Sequence, residues 1–311
     1  MDEAGLSVHL HPIGVHTLLC VLFALLTAGS NACAAVLQRK AAAQVPTDRS
    51  MHVSLVVDLV RRRVWLAGIG MVIVAAVAQA AALATGPIAL VQPIFIIELP
   101  LTLVLAALAS HDRAAMRALP WSAIATTTVA LGAGLAVAQP TGATNVAQDT
   151  SWVVALVATA GFEAVLIILA TGTTGEPRAA LLGLAAACGY ALTAALMKNA
   201  MADLNAGAAQ FFTSWHIYGV AVAGVGALFL LQNALQAGSL VASQPMLTVG
   251  DALISISYGV TLFSEELRAG WWLLPQLVAL AFIIFGCIQI AKSPLATETS
   301  GLATETAPTV L

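Results

Sequence analysis

The chain alternates between apolar runs of roughly 20 residues and short polar breaks, and such runs can cross about 30 Å of hydrocarbon. Read between turn and charge signals, they predict nine spans, at about 14–38, 64–86, 88–109, 119–139, 151–172, 179–198, 210–235, 240–263 and 270–291. Membrane-crossing strands would instead alternate over segments of about 10 residues. The pattern predicts an all-α polytopic membrane protein. One further stretch, "SMHVSLVVDLVRRR" (50–63), is too short and too charged to cross. It reads as an interfacial amphipathic helix or a stunted extra span.

Composition agrees. The 311 residues are 60% hydrophobic and 9% charged, with a mean hydropathy of +0.93, against about 25% charged in a soluble domain. Cys20, Cys33, Cys188 and Cys287 all fall inside apolar runs without a C-x-x-C partner, and read as packing residues. The first 13 residues carry Asp2 and Glu3 but no basic residue, which argues against a cleaved signal peptide. A net charge of −3 gives no reason to expect nucleic acid. No H-E-x-x-H or Ser/His/Asp set suggests an enzyme, and no Walker-type loop suggests ATP-driven pumping by this chain alone.

Basic residues set the expected orientation. With the N-terminus outside, Arg39, Lys40, Arg49, Arg61, Arg62, Arg63, Arg113, Arg117, Arg178 and Lys292 are cytoplasmic, and only Lys198 and Arg268 are external. The chain is therefore expected N-out and C-in, with residues 1–13 external. The tail 293–311, which writes "LATET" twice, is expected to be a disordered cytoplasmic segment.

An internal repeat is visible. A shift of 152 residues places Gly86 on Gly238, Gln92 on Gln244, Pro93 on Pro245 and Gly134 on Gly286. At a slightly different offset, "AAVLQRKAA" of span 1 echoes "TAALMKNAM" of span 6. The division is a first repeat (14–139), a connecting span (151–172) and a second repeat (179–292). A displacement of five spans inverts the second copy, an arrangement common in secondary transporters, whose site lies between the halves near midplane.

Three acids fall at the centres of spans: Glu98 in span 3, Asp251 in span 8 and Glu163 in span 5. Each costs about 2.5–3.5 kcal/mol on insertion scales, so they must face protein or water. No Lys or Arg lies inside a predicted span, and His216, beside Trp215 and Tyr218, reads as interfacial. The acids are then either neutral packing residues or groups that meet a proton or cation from solution. The paired placement of Glu98 and Asp251 favours the second; Glu163, on the unpaired span, fits either.

Pro93, Pro100 and Pro245 each remove a helical hydrogen bond and free a carbonyl, tolerable at membrane depth where it lines a cavity. Gln92 and Gln244 add amide oxygens. Such hard oxygen ligands suit Mg²⁺, with Glu98 and Asp251 as its carboxylates. One mismatch remains: Glu98 follows Gln92 by six residues and Asp251 follows Gln244 by seven, about 100° of rotation on ideal helices. On span 7, Gly219, Ala223 and Ala227 form a small-residue stripe, more readily internal packing than a dimer seam. His9, His11 and His16 make at most a weak metal site.

The segments "GSNACAAVLQRKAA", the two G-x5-Q-P stretches, "YGVTLFSEELRAG" and "FGCIQIA" resemble the drug/metabolite transporter superfamily and its EamA-like domains. The likeness covers about residues 14–292. "SHDRAAMRALPW" departs from the family by lacking the acidic-Arg turn, and nine spans replace the usual ten. The nine-span, N-out layout is more similar to the NIPA-type magnesium transporter branch, although Q-P stands where that branch writes T-P or similar. The resemblance implies alternating access through a central cavity in a cell membrane. The expected function is secondary transport of a small polar solute or divalent cation, with a proton-coupled metabolite exporter as the alternative and a membrane scaffold third. The expected partners are the bilayer, a small-molecule or ion substrate and a second copy of the chain. No cofactor is expected beyond Mg²⁺ or H⁺ as the transported or coupling ion.

Overall fold

A computed structural model describes residues 14–42, 63–110, 113–142 and 146–293. The expected interfacial segment at 50–63 lies outside these apart from Arg63, which opens span 2. The N-terminal 1–13 and the tail beyond Ser293 lie outside them as well. Among the described residues, nine helices are long and apolar enough to cross a membrane. The chain is an all-α, multi-pass membrane protein. Hydrocarbon offers the backbone no partner, so each crossing must satisfy its own amides.

Span 1 is Val15–Ala42 and span 2 Arg63–Thr85. Span 3 is broken into Ile88–Ile94, a 3₁₀ turn Phe95–Ile97, and Glu98–Ala109. After a short helix Arg113–Arg117 come span 4, Trp121–Ala138, and span 5, Asp149–Thr171. Span 6 is Glu176–Ala206. Gly207, at φ 139°, ends it and leads into the short helix Ala208–Thr213. Spans 7, 8 and 9 are Trp215–Ala237, Leu240–Leu262 and Leu273–Ala291, the last entered through a 3₁₀ turn.

Span 6 corrects the expected boundary at 198. Lys198, Asn199 and Asp203 look like the end of an apolar run but are bonded inside the bundle. Lys198 and Asn199 are buried, and the helix continues to Ala206. Span 7 starts at 215 rather than 210 because Ser214 caps it, its Oγ accepting from the His216 amide at 3.3 Å.

Span 1 packs along span 2 and span 6 along span 7, while span 3 meets span 8 and span 4 meets span 9. Span 6 is the central element, lined by Ala185, Ala186, Ala187, Ala191, Ala194 and Ala195, all fully buried. Small side chains let its neighbours approach closely, which is how helices associate in lipid. The span 7 stripe is spent on this contact: Gly219 lies against Leu196, and Ala227 lies against Gly189. Both contacts are internal packing.

Spans 4 and 9 cross reciprocally. A Cβ at Gly134 would stand 3.2 Å from that of Ala279, and one at Gly286 would strike the Thr127 hydroxyl. Thr127 and Ala279, like Gly134 and Gly286, are 152 residues apart. Gly86 likewise abuts Cys20 of span 1, and Gly238 abuts Ala179 of span 6. Cys20 and Ala179 are 159 residues apart, the offset of the span 1 and span 6 echo. Equivalent residues thus make equivalent contacts.

Gly286→Val is expected to cost about 1–3 kcal/mol through overpacking against Thr127 and the Ala123 carbonyl. Gly132→Val, where an added Cβ meets nothing within 4 Å, is the neutral control. Unfolding midpoints of the two variants in mixed micelles check this.

Candidate functional site

Glu98 is placed by a local irregularity. Around Pro93 the helix tightens: the Phe95 amide donates to the Gln92 carbonyl, and the Glu98 amide donates to the Phe95 carbonyl. Three residues in 3₁₀ geometry add roughly 60° of rotation and about 1.5 Å of rise relative to α-helix. Gln92 to Glu98 then advances about 10.5 Å in six residues, as Gln244 to Asp251 does in seven on the continuous span 8. Most of the 100° mismatch disappears as well. The irregular turn restores the correspondence between the two acids.

The Glu98 carboxylate accepts from Asn31 Nδ2 of span 1 at 3.1 Å. Asp251 accepts from Ser255 Oγ, one turn further along span 8, at 3.3 Å. The two carboxylates lie within electrostatic range of each other and of the Tyr190 side chain of span 6. Asn31 and Tyr190 are also 159 residues apart. Asn31 thus meets Glu98 directly, and Tyr190, at the matching position of span 6, lies within electrostatic range of both acids. Sequence reading missed Asn31 and Tyr190, although the offset between spans 1 and 6 pairs these two positions.

Neither Glu98 nor Asp251 forms an ion pair among the described residues. Half-buried acids at membrane depth, with only neutral donors among the described residues, need a proton, a cation or water beside them. No group of three or more His, Cys, Asp or Glu among the described residues is set to hold a metal. A metal here would take the two carboxylates, neutral oxygens and its own water.

The other expected site residues divide. Gln92 is 2% exposed, and its Nε2 has no hydrogen-bond partner, a costly state for a buried amide unless something polar meets it. Gln244 is half-buried, and its backbone carbonyl accepts from Thr248 Oγ1 at 2.9 Å. Pro93, Pro100 and Pro245 are buried; the first two flank the 3₁₀ break, and Pro245 sits inside an unbroken helix. Glu163 is half-buried on span 5, within electrostatic range of Cys188 and Tyr258. Asp251 lies within electrostatic range of the same Cys188.

Two polar clusters at one end of the bundle correct the sequence reading. Lys198 does not sit at a water-facing span end. Its Nζ is 2.6 Å from Glu265 Oε1, with side-chain exposures of 3% and 0%. His216 is not interfacial but buried, its Nδ1 2.9 Å from Asp203 Oδ2 and 2.7 Å from Ser214 Oγ. Its Nε2 is 3.0 Å from Asn199 Nδ2. Ser214 and Asp203 thus share one ring nitrogen, whereas a nucleophilic triad needs them on opposite nitrogens. Trp152 and Trp215 pack against the imidazole, both with centroids within 5.5 Å.

An apolar groove of about 510 Å³ between spans 4 and 9, lined by Val129, Pro275 and Phe282 among others, includes none of these polar groups.

No family model matches the chain, and no solved structure matches it. An uncharacterized protein of Corynebacterium glutamicum is 26% identical over 281 residues, spanning 89% of this chain and 96% of that one. The likeness therefore extends over the whole multi-span region rather than one motif.

Proposed function

We propose that the chain is a secondary transporter of the drug/metabolite type. It moves a small polar solute or a divalent cation, Mg²⁺ first, by alternating access through a cavity lined by spans 1, 3, 6 and 8. The reading rests on Glu98 and Asp251, two acids on corresponding spans within electrostatic range of each other, with neutral donors alone among the described residues. The reciprocal contacts of spans 4 and 9 support two inverted halves around span 5. Mg²⁺ suits a site of two carboxylates because it keeps several waters. The NIPA-like layout and a cell-membrane location, N-out and C-in, belong to the same proposal. A homodimer would have to use a face other than the span 7 stripe.

Proton-coupled export of a small metabolite is the second reading. The lack of a three-ligand metal group among the described residues favours it. There the carboxyl pair alternately holds H⁺ and solute.

Purified protein in liposomes, read in parallel with a Mg²⁺-sensitive and a pH-sensitive dye, separates them. A Mg²⁺ signal lost in Glu98→Gln supports cation transport. No Mg²⁺ signal, with a proton gradient driving uptake of a screened metabolite, supports the second reading. Unchanged flux in both Glu98→Gln and Asp251→Asn sinks the site.

A further inference from the structure

The Glu265 carboxylate is held where no loop residue needs to be. It accepts from the Ile88 amide at 2.7 Å and the Ala89 amide at 2.9 Å, the first turn of span 3. Free amides at a helix start favour an anion. Lys198 of span 6 closes on the same carboxylate and also donates to the Gly86 carbonyl at 3.3 Å. The Phe263 ring lies 5.0 Å from the ammonium. Beyond Glu265 the loop continues the seam. Glu266 and Thr141 exchange backbone hydrogen bonds at 3.0 and 3.3 Å, and the Arg268 amide donates to the Ala138 carbonyl at 3.0 Å. Spans 3 and 4 are thereby fastened to span 6 and the span 8–9 loop.

The opposite end of the bundle offers a comparison. There Glu176 of span 6 accepts from the Ser239 amide at 3.3 Å and from its hydroxyl at 2.7 Å, at the start of span 8. Glu176 is likewise an acid over the first turn of a proline-bearing span, although it stands on span 6 rather than in the loop position that matches Glu265. This contact is exposed, and it joins two elements of the same half. One end is tied across the halves by a buried ion pair, whereas at the other Glu176 bonds within its own half.

We infer that Lys198 and Glu265 form a latch that closes one end of the central cavity, and that it must release before Glu98 and Asp251 can be reached from that side. The inference rests on the alternating-access reading and adds its gate. In the N-out orientation the latched end is extracytoplasmic. Release moves the Glu265 carboxylate off the Ile88 and Ala89 amides and separates spans 3 and 4 from span 6.

Cys20 is a built-in reporter. It is fully buried against Gly86, directly beside the latch and within electrostatic range of both Lys198 and Glu265. With Cys33, Cys188 and Cys287 changed to Ala, its reaction with a membrane-impermeant thiol reagent in nanodiscs reads opening. The double variant Lys198→Met/Glu265→Gln, which keeps an acceptor for the span 3 amides, is expected to label about tenfold faster or more. A folded double variant that labels at the unaltered rate overturns the latch. A second reading uses the intact ion pair. Protection of Cys20 and hydrogen-exchange protection of the Ile88 and Ala89 amides should agree within about tenfold, because one opening exposes all three. Free labelling of Cys20 while those amides stay protected also overturns it. Labelling needs no solute, so a failed flux assay and a failed latch give different results.

Discussion

Lys198→Met is expected to destabilise the protein by about 3–5 kcal/mol, because it strands a fully buried carboxylate without its cation. Two span 3 amides would still hold Glu265. Hydrogen bonds to a charged group contribute about 1.5–3 kcal/mol each at best, less than the desolvation they must offset. Glu265→Gln is expected to cost a similar amount by the same reasoning, leaving an ammonium buried under the Phe263 ring. The double variant Lys198→Met/Glu265→Gln removes both charges and should recover most of the loss. A coupling of at least about 2 kcal/mol between the two sites is therefore expected. Reversible unfolding in mixed micelles measures all four proteins. Additive single effects would mean that the pair contributes packing and little else.

The parts of this molecule that were legible in the sequence are those where the solvent decides. Hydrocarbon thickness sets span length, so all nine spans could be placed, most within a few residues. Where a polar residue has a distant partner, the same reading fails. Lys198, Asn199 and Asp203 carry the chemistry of a helix end, yet Glu265 lies 67 residues away from Lys198 and completes it. His216 fails for the same reason, its partners lying on span 6 and on the residues between spans 6 and 7. The acids themselves were conspicuous because each is alone in an apolar run. Their neighbours were not: Asn31 and Tyr190 look unremarkable until the 159-residue offset of spans 1 and 6 places them on matching faces. The apparent six-against-seven discrepancy had its resolution beside it in Pro93. Whether a proline kinks, tightens or merely sits in a helix is decided by packing, and Pro245 in an unbroken span 8 makes the point.

If the chain transports as proposed, neutralising the two central acids should abolish flux without unfolding the protein, and the pattern of the losses reports how they work. Glu98→Gln keeps the shape and a carbonyl that can still accept from Asn31. Asp251→Asn likewise keeps an acceptor for Ser255. Each variant removes an acid that has no basic partner among the described residues, so stability should stay level or rise. On the shared-ion reading, flux should nevertheless fall by about 100-fold or more in either one, since that reading needs both carboxyls. Groups that act as one unit are not additive, so the double variant should be no slower than the poorer single, within about threefold. Asn31→Leu is the informative companion. It leaves both acids in place but removes the donor that orients Glu98, and it should weaken ion affinity by roughly tenfold while leaving the maximal rate closer to normal. Liposome flux at varied ion concentration separates these outcomes. If the two acid exchanges multiply in the double variant, Glu98 and Asp251 serve separate steps, and a shared ion site is wrong.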